Sequence, residues 1–393
     1  MNHYKKPLAV LTSIFFFFGF ITCLNDILVP HLKQQFSLSY TQAVLIQFAF
    51  FSSYFFVSIP ASRFCEKWGY KIGIWFGLCI TAMGAFGLLF SAKMVLFPFF
   101  LVSFFILAGG ITLIQVAANP YVTLLGTPES ASTRLNLVQA FNSLGTTVAP
   151  LFGSMLILSG SSVESIEKPY LGIAVSLLVL ALLIAKSNLP KTETTEQDST
   201  SFVSLIKIKR LFLGCLGIFA YVGAEVSIGS FLISWLGDES VRGFTHEQAG
   251  HYVSFYWGGA MAGRFLGTPL LNKFKAPKVM FVFVLLAILG VLSTMLTSGE
   301  ISQWSILSVG LFNSILFPTI FSQSLLGLTK GQEKASGLLC TSIVGGALIP
   351  LLQGFMADHQ GLKVSFMVPL FCYFYILYFC YFLIKDKKPI ASN

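Results

Sequence analysis

Twelve long apolar stretches follow one another along the chain, and short polar or basic segments separate them. A helix rises 1.5 Å per residue, so about 20 apolar residues are enough to cross the hydrocarbon core of a bilayer. The pattern therefore predicts an all-α membrane protein. Its twelve predicted transmembrane helices lie at residues 8–30, 41–61, 72–92, 96–119, 135–157, 169–187, 211–236, 248–267, 278–296, 303–325, 336–356 and 364–384.

Composition agrees with this fold class. Hydrophobic residues make up 55% of the 393 residues, charged residues make up only 10%, and the mean hydropathy is +0.78, which excludes a soluble protein with one core. The net charge of +9 comes from short basic clusters between the spans rather than from one basic stripe, so we predict no nucleic-acid partner. By the positive-inside rule, these clusters place both termini in the cytoplasm.

A polar segment at residues 187–204 divides the spans into two sets of six. We predict an N-terminal six-helix bundle at residues 1–187, a cytoplasmic linker at 188–210 and a C-terminal six-helix bundle at 211–393. Similar residues recur in the two halves at a separation of 198 to 200 residues, which predicts a parallel repeat with two bundles around a central cavity. The matched pairs are Asp26 and Glu225, Gln115 and Asn313, Pro120 and Pro318, Gly145 and Gly345, and Pro150 and Pro350. The four prolines are predicted helix kinks at which gates could pivot.

Asp26 and Glu225 are the only acidic residues that the pattern places inside spans. An ionised carboxylate at membrane depth costs at least about 2.5–3.5 kcal/mol, so each is expected to face a partner, a cavity or a proton. We predict that both couple proton movement to transport, because a neutralised carrier can reorient whereas a bare carboxylate makes that movement costly. The alternative is a carboxylate that is permanently hydrogen-bonded to support folding.

Four amide side chains lie at helical spacing in the fourth and fifth spans. Gln115 and Asn119 are four residues apart, and Gln139 and Asn142 are three apart, so each pair shares one helix face. An amide offers a donor and an acceptor without adding charge, which suits the adjacent hydroxyls of a sugar. We therefore predict a neutral polyhydroxylated ligand. The alternative is that these amides join helices within the lipid.

Aromatic and basic residues complete the predicted site. Tyr256, Trp257 and Phe317 are positioned to stack on the apolar face of a pyranose, and ordinary core packing is the alternative. Arg264 lies inside the eighth predicted span. It either reaches back to the membrane interface or partners a carboxylate or a gate carbonyl.

The loop after the second span, residues 62–71, contains Glu66 and Lys67. Its sequence resembles the loop motif that latches the cytoplasmic gate in the major facilitator superfamily, although Ser62 replaces the first glycine of that motif and Tyr70 replaces one basic residue. The alternative is a solvated run of charges. We assign Glu66, Lys67 and Arg264 to a predicted gate.

Further runs of the sequence are specific to one group of transporters. They are residues 25–30 (NDILVP), 115–126, 134–145, 221–225 (YVGAE), 256–265 (YWGGAMAGRF), 317–321 and 336–358. These runs resemble the fucose–galactose–glucose:proton symporter family, over nearly the whole chain and most strongly its bacterial glucose/galactose branch. The resemblance implies the major facilitator fold and proton-coupled uptake of a monosaccharide across the bacterial cytoplasmic (inner) membrane.

The resemblance also implies residue roles. Asp26, next to Asn25, matches the protonatable acid of the family's first span, and Gln139 and Asn142 match polar residues of its sugar site. Three positions depart from the fucose permeases, which carry Glu in place of Gln115, Gln in place of Glu225 and Tyr in place of Phe317. These departures favour glucose or galactose over fucose.

The sequence thus predicts a secondary active transporter, not an enzyme, that imports a neutral monosaccharide of the glucose/galactose type by proton symport with alternating access. Its five histidines are dispersed without metal-protease spacing. Predicted partners are the sugar, a coupling ion (H⁺, with Na⁺ as the alternative) and the lipid bilayer, and we expect a monomer without cofactor or metal. The predicted sugar-binding residues are Asn25, Gln115, Asn119, Gln139, Asn142, Tyr256, Trp257, Asn313 and Phe317. The alternatives are a sodium-coupled or uncoupled sugar carrier and a carrier of a deoxy or amino sugar such as fucose.

Overall fold

The computed structural model describes the backbone of residues 5–35, 40–94, 96–153, 167–187 and 200–386. Side chains are described for the same residues except 5–6, 24–35, 40–47, 150–153 and 246–247. Every regular element in these ranges is helical, with 3₁₀ turns at Pro128–Ser130 and Ser342–Val344. The α-helices are α1 (Lys5–Gln35), α2 (Tyr40–Met94), α3 (Phe97–Leu124), α4 (Ala131–Gly153), α5 (Glu167–Lys186), α6 (Phe202–Lys207), α7 (Lys209–Gly237), α8 (His246–Lys273), α9 (Ala276–Leu296), α10 (Gly299–Asn313), α11 (Leu316–Leu325), α12 (Gln332–Thr341), α13 (Gly345–Gln360), α14 (Leu362–Ser365) and α15 (Met367–Lys385).

The described part of each predicted span is a helix or a broken helix, so the prediction of a twelve-span, all-α fold is confirmed. Residues 154–157, the end of the fifth predicted span, lie outside the described residues. The second and third spans both belong to α2 and meet at Gly69, whose φ of 79° and ψ of 163° are not helical. Such a positive φ favours glycine. The tenth span is divided into α10 and α11, the eleventh into α12 and α13, and the twelfth into α14 and α15. The short helix α6 lies at the end of the predicted linker.

Two prolines interrupt the backbone hydrogen bonding of their spans. Proline has no N–H, so the carbonyl of the residue four positions earlier lacks its usual helical donor. Pro318 in α11 therefore releases the carbonyl of Ser314, in the break between α10 and α11. Pro120 in α3 releases the carbonyl of Val116 in the same way. The two carbonyls occupy matched positions of the predicted repeat, 198 residues apart.

Eight helical stretches among the described residues are long and apolar enough to cross a membrane. They run from Phe48–Met94 to Leu362–Lys385, and the first of them contains two spans. Helix α8 has sufficient length but is not among the eight. Its many polar residues lower its hydropathy, which is expected of a span that faces polar groups inside the protein rather than lipid on all sides.

The first of two compact units contains the described parts of Met1–Leu125, Leu144–Phe202 and Lys330–Thr341. Within it, α2 packs closely on α3. Glycines permit this approach, because a Cβ at Gly84 would overlap the backbone of Leu107 and one at Gly110 would overlap Thr81.

The second unit contains the described parts of Gly126–Ser143, Val203–Thr329 and Ser342–Asn393. Its helices also approach through glycines. A Cβ at Gly310 of α10 would overlap the carbonyl oxygen of Tyr256 in α8, and a Cβ at Gly345 of α13 would overlap that of Phe219 in α7. Such contacts fix α8 and α7 close to their neighbours.

Each unit includes a segment from the other half of the sequence. Residues 126–143, with the beginning of α4, belong to the second unit, and residues 330–341, with α12, belong to the first. We call these two pieces the exchanged segments. They group with the helices that they touch rather than with their neighbours in the chain, and the predicted bundle boundaries at 188–210 remain a prediction about the two halves of the sequence.

Candidate functional site

An acidic residue is partly buried in the second unit, where α7 faces α8 and α11. Glu225 lies one helical turn after Tyr221, whose hydroxyl donates a hydrogen bond of 2.7 Å to Oε1 of the carboxylate. The guanidinium of Arg264 on α8 acts electrostatically on both residues. The carboxylate therefore has a neutral hydrogen-bond donor and a cation in its neighbourhood. Such partners lower the cost of placing an acid at membrane depth.

A chain of hydrogen bonds extends from this acid to α15. The hydroxyl of Tyr256 donates to the backbone oxygen of Glu225 at 3.3 Å and accepts from Nδ2 of Asn313 at 2.8 Å. Oδ1 of Asn313 in turn accepts from the hydroxyl of Tyr373 at 2.7 Å. Both ends of the buried amide are thus engaged by phenols, so Asn313 links α8, α10 and α15.

The first unit contains a similar phenol–amide pair. Nε2 of Gln115 donates to the hydroxyl of Tyr54 at 2.8 Å, the same length as the bond from Asn313 to Tyr256. Gln115 and Asn313 are matched by the predicted repeat, so the two halves hold equivalent amides in the same way. Asn119, one turn after Gln115, is fully buried, and its Oδ1 has no partner among the described residues.

The remaining predicted sugar residues in the second unit differ in exposure. Gln139 is buried on α4, and Asn142 is partly buried one turn later. The Trp257 ring is 37% exposed and packs over Gly229, where a Cβ would lie 3.0 Å from Cζ2. Phe317 is nearly buried, with its ring centroid 6.4 Å from that of Tyr221. Trp257 is therefore the most exposed aromatic residue of the predicted set.

The first predicted proton-coupling residue falls where side chains are not described. Asn25 and Asp26 lie on α1 in the described backbone, but their side chains are outside the described part of the chain. Their predicted roles therefore remain predictions. Among the residues with described side chains, no group of three or more His, Cys, Asp or Glu is arranged to hold a metal ion.

Arg264 is held inside the second unit. Its guanidinium is buried, and it donates from Nε to the carbonyl of Ser314 at 3.1 Å and from Nη1 to the carbonyl of Gln139 at 3.2 Å. It also donates to Ser143 Oγ. Of the two interpretations of the sequence, the one in which Arg264 partners a carbonyl agrees with these hydrogen bonds. Arg264 thereby binds the exchanged segment 126–143 to α8 and α10.

Additional polar contacts attach the same segment. Nδ2 of Asn136 donates to the carbonyl of Arg264 at 2.7 Å and to Thr268 Oγ1 at 3.0 Å. Nearer the beginning of α4, Ser132 Oγ lies 2.7 Å from Ser322 Oγ and accepts from Gln323 Nε2 at 3.1 Å. The beginning of α4 is thus joined by side chains to both α8 and α11.

The other two predicted gate residues differ from each other. Glu66 Oε1 forms an ion pair of 2.7 Å with Nζ of Lys334, on the exchanged segment 330–341. Lys334 also donates to the carbonyl of Thr200 at 2.8 Å. Lys67 is exposed, with its ammonium 5.3 Å from the centroid of the Trp68 ring. Glu66 therefore fastens an exchanged segment, whereas the described contact of Lys67 lies on its own helix.

Several residues of these clusters were absent from the predicted site. Tyr54 and Tyr256 are 202 residues apart, close to the repeat separation, and this signal could have identified Tyr54. Tyr221 stands one turn before the buried acid, which is the spacing for a side-chain donor. Tyr373 lies in an aromatic run, residues 371–382, whose pattern does not distinguish it from its neighbours.

The sequence and the fold of the chain were compared with those of known proteins. The Major Facilitator Superfamily model matches residues 10–339. The chain is 46% identical over 396 residues to the glucose/galactose transporter of Brucella abortus biovar 1 (strain 9-941), with 98% of this chain and 96% of the relative covered. It is 33% identical over 420 residues to the L-fucose-proton symporter of Escherichia coli (strain K12), with 99% and 95% covered. The crystal structure of the transporter FucP in the outward conformation superimposes with a TM-score of 0.90 and 33% identity, covering 97% of this chain and 99% of FucP.

Proposed function

The chain belongs to the major facilitator superfamily and, within it, to the fucose–galactose–glucose:proton symporter family, and from this premise we propose that it imports a neutral monosaccharide of the glucose/galactose type by proton symport. The sugar crosses the membrane without chemical change, through alternating access. The proposed location is the bacterial cytoplasmic (inner) membrane, with both termini in the cytoplasm and the protein acting as a monomer in the lipid bilayer.

The observation that carries the proposal is Glu225 with its phenol and amide neighbours inside an apolar helical unit. Tyr221 donates to the carboxylate, and Tyr256 joins the Glu225 backbone to Asn313. An acid placed inside an apolar span is costly unless its carboxylate has a partner or a functional role there. The 46% identity to a glucose/galactose transporter over nearly the full chain supports the sugar as the transported species.

Proton coupling is assigned to Asp26 and Glu225. In this mechanism each carboxylate takes up a proton on the outer side, and the neutral carrier then reorients with the sugar bound. Arg264 lies near enough to act electrostatically on Glu225, which supports a link between the charge of the acid and the helix contacts that Arg264 makes. Release of the proton on the cytoplasmic side restores the carboxylate.

The sugar site is assigned to amide and aromatic residues from both halves of the sequence. Asn119 supports this assignment, because its unpartnered buried Oδ1 offers an acceptor for a hydroxyl. Trp257 offers an exposed ring on which a pyranose can stack. The other assigned residues are Asn25, Gln115, Gln139, Asn142, Tyr256, Asn313 and Phe317. Gln115 and Asn313 already bond to phenols, so each would give up or share such a bond on binding a hydroxyl.

The gate is assigned to Glu66, Lys67 and Arg264. Both exchanged segments lie on the predicted cytoplasmic side, and Glu66 and Arg264 fasten one segment each. These contacts support a role of Glu66 and Arg264 in holding the exchanged segments in place.

L-Fucose is the second candidate substrate, because the chain is 33% identical to an L-fucose-proton symporter. Sodium coupling and uncoupled transport are the competing mechanisms. One experiment separates them: uptake of a panel of radiolabelled monosaccharides, including glucose, galactose and fucose, into proteoliposomes with proton and sodium gradients imposed separately. We expect glucose or galactose to accumulate under the proton gradient alone. Accumulation under sodium alone, or of no sugar above its equilibrium level, would overturn the proposal.

A further inference from the structure

The carbonyl oxygens released by Pro120 and Pro318 each receive a hydrogen bond from a side chain. In the first unit, Ser336 Oγ donates to the carbonyl of Val116 at 2.8 Å, and both residues are buried. In the second unit, Nε of Arg264 donates to the carbonyl of Ser314 at 3.1 Å. Two prolines in matched positions have therefore left acceptors that side chains of other helices occupy.

One of these hydrogen bonds is made by an exchanged segment directly, and the other holds a guanidinium that in turn binds an exchanged segment. Ser336 itself belongs to the exchanged segment 330–341. Arg264 belongs to α8, but the same guanidinium donates to the carbonyl of Gln139 and to Ser143 Oγ in the exchanged segment 126–143. A carbonyl without a helical donor is a stronger attachment point than an ordinary helical carbonyl, because leaving it buried and unbonded is costly.

We propose that the Val116 and Ser314 carbonyls are the two anchor points of the closed gate, and that Ser336 and Arg264 are positioning residues that occupy them. The proposal rests on the alternating-access function above and adds to it a role for the prolines. Each proline supplies an acceptor at a fixed place in its span. Opening of the gate requires Ser336 to leave the first acceptor, and it requires the segment 126–143 to leave the guanidinium that the second acceptor holds. The repeat explains why one device occurs twice.

Hydrogen exchange of the full chain in lipid nanodiscs, measured without sugar, tests the proposal. Ser336→Ala should raise exchange of the amides in Gln332–Thr341 about fivefold, as expected for one buried hydrogen bond. Ser324→Ala is the matched control, because Ser324 is equally buried but its hydroxyl donates at 2.6 Å to Ile320 of its own helix. An equal effect of the two substitutions on this segment would overturn the proposal.

A separate substitution tests the role of Arg264. Arg264→Lys should raise exchange in residues 131–143 at least about tenfold, because a lysine cannot reach three acceptors with one planar group. Unchanged exchange in these residues would overturn the role of Arg264.

The prolines distinguish an anchor point from general packing. Pro120→Ala returns a helical N–H to the Val116 carbonyl, so it should raise exchange in Gln332–Thr341 by itself, and adding Ser336→Ala should then change exchange less than about twofold. Pro318→Ala should reduce the effect of Arg264→Lys on residues 131–143 in the same way. Pro269→Ala is the control, since Pro269 is exposed on α8 and no side chain in the described part of the structure donates to the carbonyl of Phe265 that it releases.

Additive effects of the proline and donor substitutions would overturn the proposal, and so would a Pro269→Ala variant that loosens both exchanged segments. The exchange measurement is independent of transport. A chain that shows the expected pattern but accumulates no sugar refutes the proposed function and leaves the anchors standing. A chain that transports sugar normally but lacks the pattern refutes the anchors alone.

Discussion

The ion pair between Glu66 and Lys334 gives a direct test of the gate. It joins α2 to the exchanged segment 330–341 with a separation of 2.7 Å between Oε1 and Nζ. Glu66→Gln keeps the shape of the side chain and removes the charge. Because Lys334 also donates to the carbonyl of Thr200, a substitution of Glu66 removes the ion pair with less disturbance than one of Lys334.

The expected effect follows from burial. Exposed ion pairs contribute up to about 1 kcal/mol, and hydrogen bonds to charged groups about 1.5–3 kcal/mol. The side chains of Lys334 and Glu66 are 13% and 25% exposed, so we take a value of about 1.5 kcal/mol. This corresponds to roughly a tenfold larger population in which α12 has left α2. Glu66→Lys should have a larger effect, because it replaces attraction by repulsion.

A native cysteine reports this opening. Cys65 is fully buried on α2, and α12 packs against α2, so departure of α12 should expose its thiol. We expect N-ethylmaleimide to alkylate Cys65 about tenfold faster in Glu66→Gln, measured by mass spectrometry of the full chain in nanodiscs. Cys380 is buried on α15 in the second unit and serves as the internal control.

The exchange of both charges gives the decisive comparison. The double variant Glu66→Lys with Lys334→Glu recreates an ion pair and should return the alkylation rate of Cys65 to within about threefold of the original protein. Full recovery is not expected, because a glutamate at position 334 cannot donate to the carbonyl of Thr200. A double variant that reacts as fast as Glu66→Lys alone would refute the reasoning, as would an unchanged rate in Glu66→Gln.

Three further predictions address coupling, packing and binding. Asp26→Asn should keep sugar exchange across liposomes but lose uphill accumulation driven by a proton gradient, and unchanged accumulation would contradict the coupling role. Gly345→Ala should lower stability by about 1–3 kcal/mol, seen as a lower thermal unfolding midpoint, because its Cβ overlaps the carbonyl of Phe219; Gly172→Ala, which meets only open space, is the control. Trp257→Ala should raise the sugar concentration for half-maximal uptake about three- to tenfold through loss of ring stacking, and an unchanged value would remove Trp257 from the site.

Most of the fold could be predicted from the sequence, because each span is long and apolar enough to be recognised without reference to the others. The breaks were harder to predict, since a proline in a span produces either a continuous helix, as at Pro120, or an interruption, as before Pro318. At Gly69 the break needs no proline. This one residue, with φ of 79°, separates two spans whose helices otherwise follow each other directly. Whether a helix continues or breaks at such a residue depends on which groups of other helices can bond to its free backbone atoms. The pattern of apolar and polar residues along the chain does not contain that information.

The candidate site divides in the same way. Glu225 and Arg264 were identifiable because a charge in an apolar span is conspicuous, and the structure brings them into one electrostatic group. Tyr373 was not identifiable, because an aromatic residue in an apolar run gives no sign of whether its hydroxyl has a partner. The exchanged segments could not be predicted from the sequence either, because they depend on contacts between residues more than 100 positions apart, such as the one between Gln139 and Arg264.

The phenol–amide pairs give two buried amides a hydrogen-bond partner when no ligand is bound. A carrier must cross its cycle empty as well as loaded, and a buried amide with no partner in the empty state costs about 1–3 kcal/mol. Tyr54 and Tyr256 remove that cost by accepting from Gln115 and Asn313 at 2.8 Å. Sugar hydroxyls that replace these phenols would then exchange one hydrogen bond for another, so binding gains little from these amides and more from Asn119 and Trp257. If this is correct, Tyr54→Phe should strengthen sugar binding to the resting protein while slowing return of the empty carrier, and equal slowing of loaded exchange would show that the phenol has only a structural role.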